Sequence, residues 1–505
     1  MRRSAPVTTP QPRGVAPTSL TIVVSVLAAL PMWIVCRPPL EDWPLHLSTT
    51  RVVHSLHDPR FGLDADFVLT LGRTQYVSYY LLGSVLAYVV GVSIANRLLA
   101  SIYLAGSVWA MRWLIRSLGG DERASLLLVP LLYGPLFGLG LLPFLLGIPV
   151  LFCALAAFLD HVERPTFARG ALAAMLATLL FFVHVVPFGL LGVGVAAAFP
   201  YRDRRRWLAS IAVVVPAAVA ALAWIARSDS GHQLLDAIAS PSRSNRASPL
   251  EALAALPPWI FDLFTDSSDG VIAALLMALA IVAVALTRRA PIDRRLMRYT
   301  ALPLSCLVLY FVTSRSNGFM WPVAERFPSL CAITAIPLIR FPQGRAGAAS
   351  AVAAALLAVV ASVNVAVHFV AFERDEVGDL DGALAAMEPR KHVAALIFDR
   401  GSQLVHCNPF LHFGAYYQLD KGGVVQFSFA GYNHWPTDYR PGHYPPPGGP
   451  ARPRWEWSPE QVTIDELAPY YDYVLTRGEG FHPPEGTFHL AFQGARWQVW
   501  ERDAK

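Results

Sequence analysis

Hydrophobic positions in this chain form long unbroken blocks up to about residue 371 and short alternating runs beyond it. LTIVVSVLAALPMWIVC (20–36) and ANRLLASIYLAGSVWAMRWLIR (95–116) are typical blocks. Several such blocks approach the roughly 20 apolar residues that carry a helix across a bilayer. The pattern predicts an α-helical polytopic membrane protein. From residue 372 the periodicity changes. KHVAALIF and YYDYVLTR read as buried strands, and TFHLAFQGARWQVWER alternates around a Gly-Ala turn as a hairpin does. PGHYPPPGGPARPR must be loop, because proline and glycine at that density support neither ladder nor helix. The expected divisions are a disordered cytoplasmic N-terminus at 1–18, a transmembrane domain at 19–371 with its first outer loop at 37–94, and a small α/β domain outside the membrane at 372–505.

The polar loops between the blocks set the register. RWLIRSLGGDER, HVERPTFARG, YRDRRRWLAS, TRRAPIDRRLMR and RFPQGRAG all carry excess arginine, and the positive-inside rule places all five on the cytoplasmic side. To keep them there, YVSYYLLGSVLAYVVGVS (76–93) becomes a juxtamembrane or re-entrant helix and 95–116 the second span. The total is then about eleven spans, with the N-terminus inside and the C-terminus outside. The segment 170–199 is long for one span and short for two. His184 and Pro187 mark its break, since proline removes a helical donor and clashes with the preceding turn. The first block is read as a retained signal anchor, because no small-residue cleavage site follows it.

Composition agrees. Of 505 residues, 54% are hydrophobic and 15% charged, against about a quarter charged in ordinary globular domains. The net charge of +5 sits in the short loops and reports topology; no basic-aromatic motif indicates nucleic acid. The five cysteines show neither zinc-like spacing nor a disulfide framework. No cofactor is called for, and a divalent metal is left open. Scarce lysine beside abundant arginine and alanine points to a bacterial inner membrane, with the C-terminal domain periplasmic.

Chemistry enters at RPPLEDWPLHLSTTR (37–51), where Glu41, Asp42 and His46 follow directly on the first span. The outer loop they open is too long for a simple connector. Leu45, Val52, Val53 and Leu56 fall at helical spacing, predicting an amphipathic helix on the membrane surface. One reading makes Asp42 a base at the lipid–water boundary, where partial desolvation suits a carboxylate to take a proton. His46, four residues on, would orient it or meet a phosphate. The other reading has Glu41 and Asp42 simply capping the helix.

The acidic pair past a single anchor, the helix opening near Tyr76, the pattern ANRLLAS…RWLIRSLGGDERASLLLVPLL and the terminal YYDYVLTRGEG…RWQVWER together resemble the GT-C class of membrane glycosyltransferases. The similarity is to the branch with protein O-mannosyltransferases and aminoarabinose transferases. It implies that an acid at the start of the first outer loop is a general base. It also implies a polyprenyl-phosphate sugar as donor and an acceptor in the cell envelope. The leaving phosphate then needs fixed cations. TSRSNGFMWPVAERFPSL (313–330) offers Arg326 first and Arg315 second, beside Glu325, and Arg73 is the third candidate. His184 beside Pro187 reads either as a hydrogen-bonded core residue or as a group reaching an internal cavity. Asp262 and Asp266 read either as solvated loop acids or as the lining of an acceptor groove, and His406, Asn408, His412, Tyr416 and Tyr417 form a polar–aromatic cluster of the kind sugars meet. The leading expectation is an inverting glycosyltransferase. The alternatives are a transporter or flippase for a lipid-linked substrate, and a catalytically inactive envelope scaffold of the same fold.

Overall fold

A computed structural model describes residues 15–239, 246–287, 293–316, 321–432, 434–446 and 454–503. Most of the segment expected to be disordered, and the loop 447–453, lie outside the described residues. The apolar blocks fold as helices. In chain order they include α1 (Thr18–Met32), α2 (Trp43–Ser55), α3 (Ser78–Val90), α4 (Val92–Leu118), α5 (Leu142–Glu163) and α6 (Phe167–Val183). There follow α7 (Val185–Ala198), α8 (Arg204–Arg227), α9 (Ser268–Thr287), α10 (Arg294–Val312), α11 (Arg326–Leu338) and α12 (Gly344–Val377). Among the described residues, α4, α5, α8, α9, α10 and α12 are long and apolar enough to cross a membrane, and five shorter apolar helices accompany them. Burial sorts these helices: α5 is 83% enclosed, whereas α8 and α9 are only 17% enclosed and present apolar residues such as Val219, Leu222 and Ile281 outward. That is how helices bathed in lipid differ from those in a bundle core.

The long segment 170–199 breaks where the proline predicted. His184 leaves the helical region at φ −166° and ψ 133°, and its ring accepts the Val186 N–H as an N-cap. Pro187 then stands in the first turn of α7, where its missing donor costs least. Gly147 of α5 makes room for this corner, since a Cβ there would lie 2.8 Å from Pro187 Cγ.

Beyond α12 the chain builds a five-stranded sheet in the order β3-β2-β5-β7-β6. Its strands are β2 (His392–Ile397), β3 (Val424–Val425), β5 (Tyr473–Arg477), β6 (Phe488–Gln493) and β7 (Trp497–Arg502). β2 lies parallel to β3 and β5, while β5, β7 and β6 run antiparallel. Val393–Ile397 and all of β5 are buried, as near-continuous apolar runs in a covered parallel core should be. The expected hairpin is β6–β7, turning at Gly494-Ala495. A second ribbon pairs β1 (Phe67–Leu69) of the outer loop antiparallel with β4 (Thr437–Tyr439).

That ribbon changes the picture of α2. The helix was expected to lie on a membrane surface, yet ten of its thirteen residues are buried. His46, Thr50 and His54 meet α3, Val52 and Leu56 pack against Leu63, Phe67, Val424, Ala430 and Tyr439, and Arg51 donates to the Leu419 carbonyl of α13 (Ala415–Lys421) at 2.9 Å. A helix whose polar face is also covered is an internal element, so the outer loop and the C-terminal region fold as one body.

Candidate active site

The start of α2 is fixed by backbone. Glu41 and Asp42 donate their N–H groups to the carbonyls of Gly138, at 2.9 Å, and Leu139, at 3.1 Å. The next residue, Gly140, has φ +72°, and a Cβ there would sit 3.0 Å from the Asp42 nitrogen. Asp42 occupies the N-cap position of α2, but its side chain makes no capping bond. The simple capping reading therefore does not describe it. Asp42 Oδ1 instead lies 3.2 Å from His412 Nδ1, and the other ring nitrogen of His412 meets Glu456 of α14 (Arg454–Trp457). His412 and Glu456 are almost wholly enclosed, while Asp42 keeps 18% of its side chain exposed.

Protonation follows from these neighbours. Burial opposes charge on His412, but the carboxylates of Glu456 and Asp42 outweigh it and hold its pKa well above the usual histidine range. Glu41 is pushed up to about 7, first by burial and then by the Asp42 charge. The His412 charge and the Asn408 N–H, 2.8 Å from Glu41 Oε2, only partly offset this. His46 was expected to orient Asp42. Its Nδ1 instead bonds the Tyr80 hydroxyl at 2.8 Å. Its ring packs among Tyr79, Tyr80, Phe429 and Trp435, and burial brings its pKa down to about 4. A neutral aromatic wall thus flanks the carboxylate.

The three candidate arginines divide sharply. Arg73 is paired with Asp438 at 2.7 Å, and Arg315 with Glu325 at 2.8 Å. Both guanidiniums are thus neutralised by an acid, and Glu325 serves Arg315 rather than an open site. Among the described residues no carboxylate closes a salt bridge with Arg326. Its Nε donates to the Pro322 carbonyl at 2.7 Å, it lies over the Phe144 ring at 5.1 Å, and Nη1 stands 2.9 Å from His184 Nε2. The Asp42 carboxylate stands within electrostatic range of this guanidinium. Tyr76 packs on His184 at 4.7 Å, and His434 packs on both Tyr76 and Trp435. Asp42, His46, Tyr76, His184 and Arg326 therefore border one continuous aromatic wall.

The remaining candidates scatter. Asp262 pairs with His406 at 3.3 Å and Asp266 with His368 at 3.2 Å, both partly exposed. Tyr417 is spent on the Glu388 carbonyl and the Lys391 N–H, and Tyr416 lies beneath Arg37. Of the C-terminal cluster, only His412 and the Asn408 backbone reach the acidic pair. Sequence reading missed Glu456, Gly140, Tyr80 and Trp435. For Glu456 the available signal was a lone acid between Trp455 and Trp457. Among the described residues no group of three or more His, Cys, Asp or Glu is arranged to hold a metal ion.

The architecture is that of a GT-C membrane glycosyltransferase fold. ArnT from Cupriavidus metallidurans, solved bound to undecaprenyl phosphate, aligns with a TM-score of 0.54 at 12% identity, over 96% of this chain and 98% of that one. The arabinofuranosyltransferase AftD from Mycobacteria aligns with a TM-score of 0.50 at 14% identity over 98% of this chain, which spans 42% of AftD. The likeness lies in fold: no family model and no curated protein sequence matches the chain.

Proposed function

We propose that the protein is an inverting glycosyltransferase that takes a sugar from a polyprenyl-phosphate donor and passes it to an acceptor outside the cytoplasm. The observation that carries the reading is Arg326. It is the one candidate arginine without a carboxylate partner among the described residues, it lies within electrostatic reach of Asp42, and it faces His184. Both ring nitrogens of His184 face donors, Val186 N–H on one side and Arg326 on the other. A neutral imidazole has only one lone pair to offer. An arriving phosphate resolves the conflict by accepting from the guanidinium and from His184 Nε2–H together. The structure of ArnT with undecaprenyl phosphate supports a lipid phosphate in this role.

In the reaction, the acceptor's O–H or N–H gives its proton to Asp42 as its heavy atom bonds the anomeric carbon. The anomeric carbon–oxygen bond breaks on the opposite face, and its electron pair leaves on the phosphate. Arg326 and His184 stabilise the growing charge, an effect worth most in a site shielded from water. The setting we propose is a bacterial inner membrane, with this centre and the C-terminal domain (372–505) on the periplasmic side and the division at 371 as drawn from sequence.

The test is release of polyprenyl phosphate by purified protein offered a panel of polyprenyl-phosphate sugars. Replacing Asp42 by Asn should lower turnover by about 10²–10⁴, and Arg326→Ala should weaken both turnover and donor binding. Equal rates for wild type and Asp42→Asn would remove Asp42 as the base. Transbilayer movement of the lipid without bond cleavage would favour a flippase.

A further inference from the structure

The pair His412–Glu456 is left over once Asp42, Arg326 and His184 have been given roles. It is a buried charge assembly. His412 precedes α13 and Glu456 lies on α14, with β3 and β4 between them in the chain, yet the two side chains meet, and His412 reaches Asp42. The acids around the imidazole are Asp42 and Glu41 on one side and Glu456 on the other; the His46 ring, kept neutral by burial, is also within electrostatic reach, and the Glu41 backbone carbonyl lies 3.2 Å from Nδ1. Phe427 stacks on the ring at 5.2 Å with an interplanar angle of 7°, and Phe429 closes its edge at 6.1 Å. An imidazole fixed by stacking, with an ionised carboxylate at each nitrogen, donates in both directions.

We propose that His412, clamped by Glu456, is a positioning residue of the C-terminal domain that pins Oδ1 of Asp42 and leaves Oδ2 aimed at the acceptor. The inference rests on the reading of Asp42 as the base. It adds that the domain beyond the helices is part of the active centre. The geometry explains why Asp42 forgoes its helix cap: the capping geometry would turn the carboxylate toward α2's own N–H groups, and the imidazolium draws it away. Glu456 in turn supplies the second acceptor without which a buried imidazolium would be costly. No proton needs to leave His412 during turnover, because its role is orientation and charge.

Two measurements test this. The first compares His412→Ala, His412→Asn and His412→Gln. The Nδ2 of Asn can stand where Nδ1 stood and donate to Asp42, whereas the Nε2 of Gln reaches only toward Glu456. His412→Ala and His412→Gln should lower kcat about 10- to 100-fold, the scale of a carboxylate displaced by about 1 Å, with KM nearly unchanged. His412→Asn should recover most of kcat. Equal loss in all three variants, in step with their thermal midpoints, would mean a structural role only. The second measurement needs no substrate. In ¹⁵N-histidine-labelled full-length protein in lipid, the His412 ring, assigned by difference from His412→Asn, should show both nitrogens protonated at pH 8. Asp42→Asn or Glu456→Gln should return it to a neutral tautomer. A neutral ring in the wild type overturns the clamp. A doubly protonated ring that responds to Asp42→Asn, in a protein that cleaves no donor, sustains the clamp and overturns the glycosyl-transfer reading instead.

Discussion

At the scale of single residues, Glu41 and Asp42 show how neighbours in sequence acquire different chemistry. Glu41 is 6% exposed, and its carboxyl is raised from 4.5 to about 7. The linkage has a definite sign. Below about pH 4.5 the carboxyl is protonated in both folded and unfolded chains. Between 4.5 and about 7 the folded chain keeps a proton the unfolded chain has released, so stability falls as pH rises through that window. At about 1.4 kcal/mol per unit, the loss is on the order of 3 kcal/mol. Glu41→Gln keeps an acceptor for the Asn408 N–H and cannot ionise. Its thermal midpoint relative to wild type should climb from pH 4.5 to 7 and then level off, and a pH series of melts in detergent would read this. A flat difference would mean that Glu41 is not held protonated. His46 and His412 titrate in both proteins, and because His412 is coupled to Glu41 the comparison reads the Glu41 carboxyl together with that coupling. The sequence singled out the acidic pair because two carboxylates after an apolar span are conspicuous. It did not separate the two, because burial is set by Gly138, Asn408 and Cys407 from distant segments.

Elements carry the same lesson with a different limit. The break at His184 was legible because proline acts locally, and the hairpin was legible because alternation around a Gly-Ala turn is local too. The burial of α2 was not. A hydrophobic stripe reports the apolar side of a helix, but the polar Arg51 is bonded by the Leu419 carbonyl, 368 residues downstream, and no local period records that. The turn at Gly140 shows how one element's backbone sets another's chemistry. Its φ of +72° costs an L-residue about 1–2 kcal/mol, and a Cβ would also press on the nitrogens of Asp42 and Trp43 at 3.0 and 3.2 Å. Gly91 provides the control, with φ +80° and open space around its Cβ position. Gly91→Ala should lose stability alone, whereas Gly140→Ala should lose stability and also depress kcat by at least about tenfold. Matching thermal midpoints with matching activities would detach the turn from the site.

Over the whole molecule, charge and chemistry sit at opposite ends of the helices. α5 makes this concrete. Its first turn adjoins Gly140 and the Asp42 centre, and its 22 residues span about 33 Å, a bilayer's hydrocarbon thickness. At its far end Glu163 meets Arg295 at 3.4 Å, and Asp160 meets Trp113 at 3.0 Å. Arg123 there bonds the carbonyl of Pro342 at 3.1 Å, and Arg206 joins Glu163, Arg295 and Arg298 around a cavity of about 200 Å³. The five arginine-rich loops grouped by sequence are thus gathered at one end, although nothing in a loop's own sequence brings it to the others. On the positive-inside tendency we propose that this end is cytoplasmic, with Asp42, His412 and the sheet outside. In a cysteine-free background, a cysteine replacing the exposed His57 should react with a membrane-impermeant maleimide on intact cells, while one replacing Arg202 should react only after the cells are opened. The reverse pattern would put the carboxylate in the cytoplasm, where an acceptor of the cell envelope could not reach it.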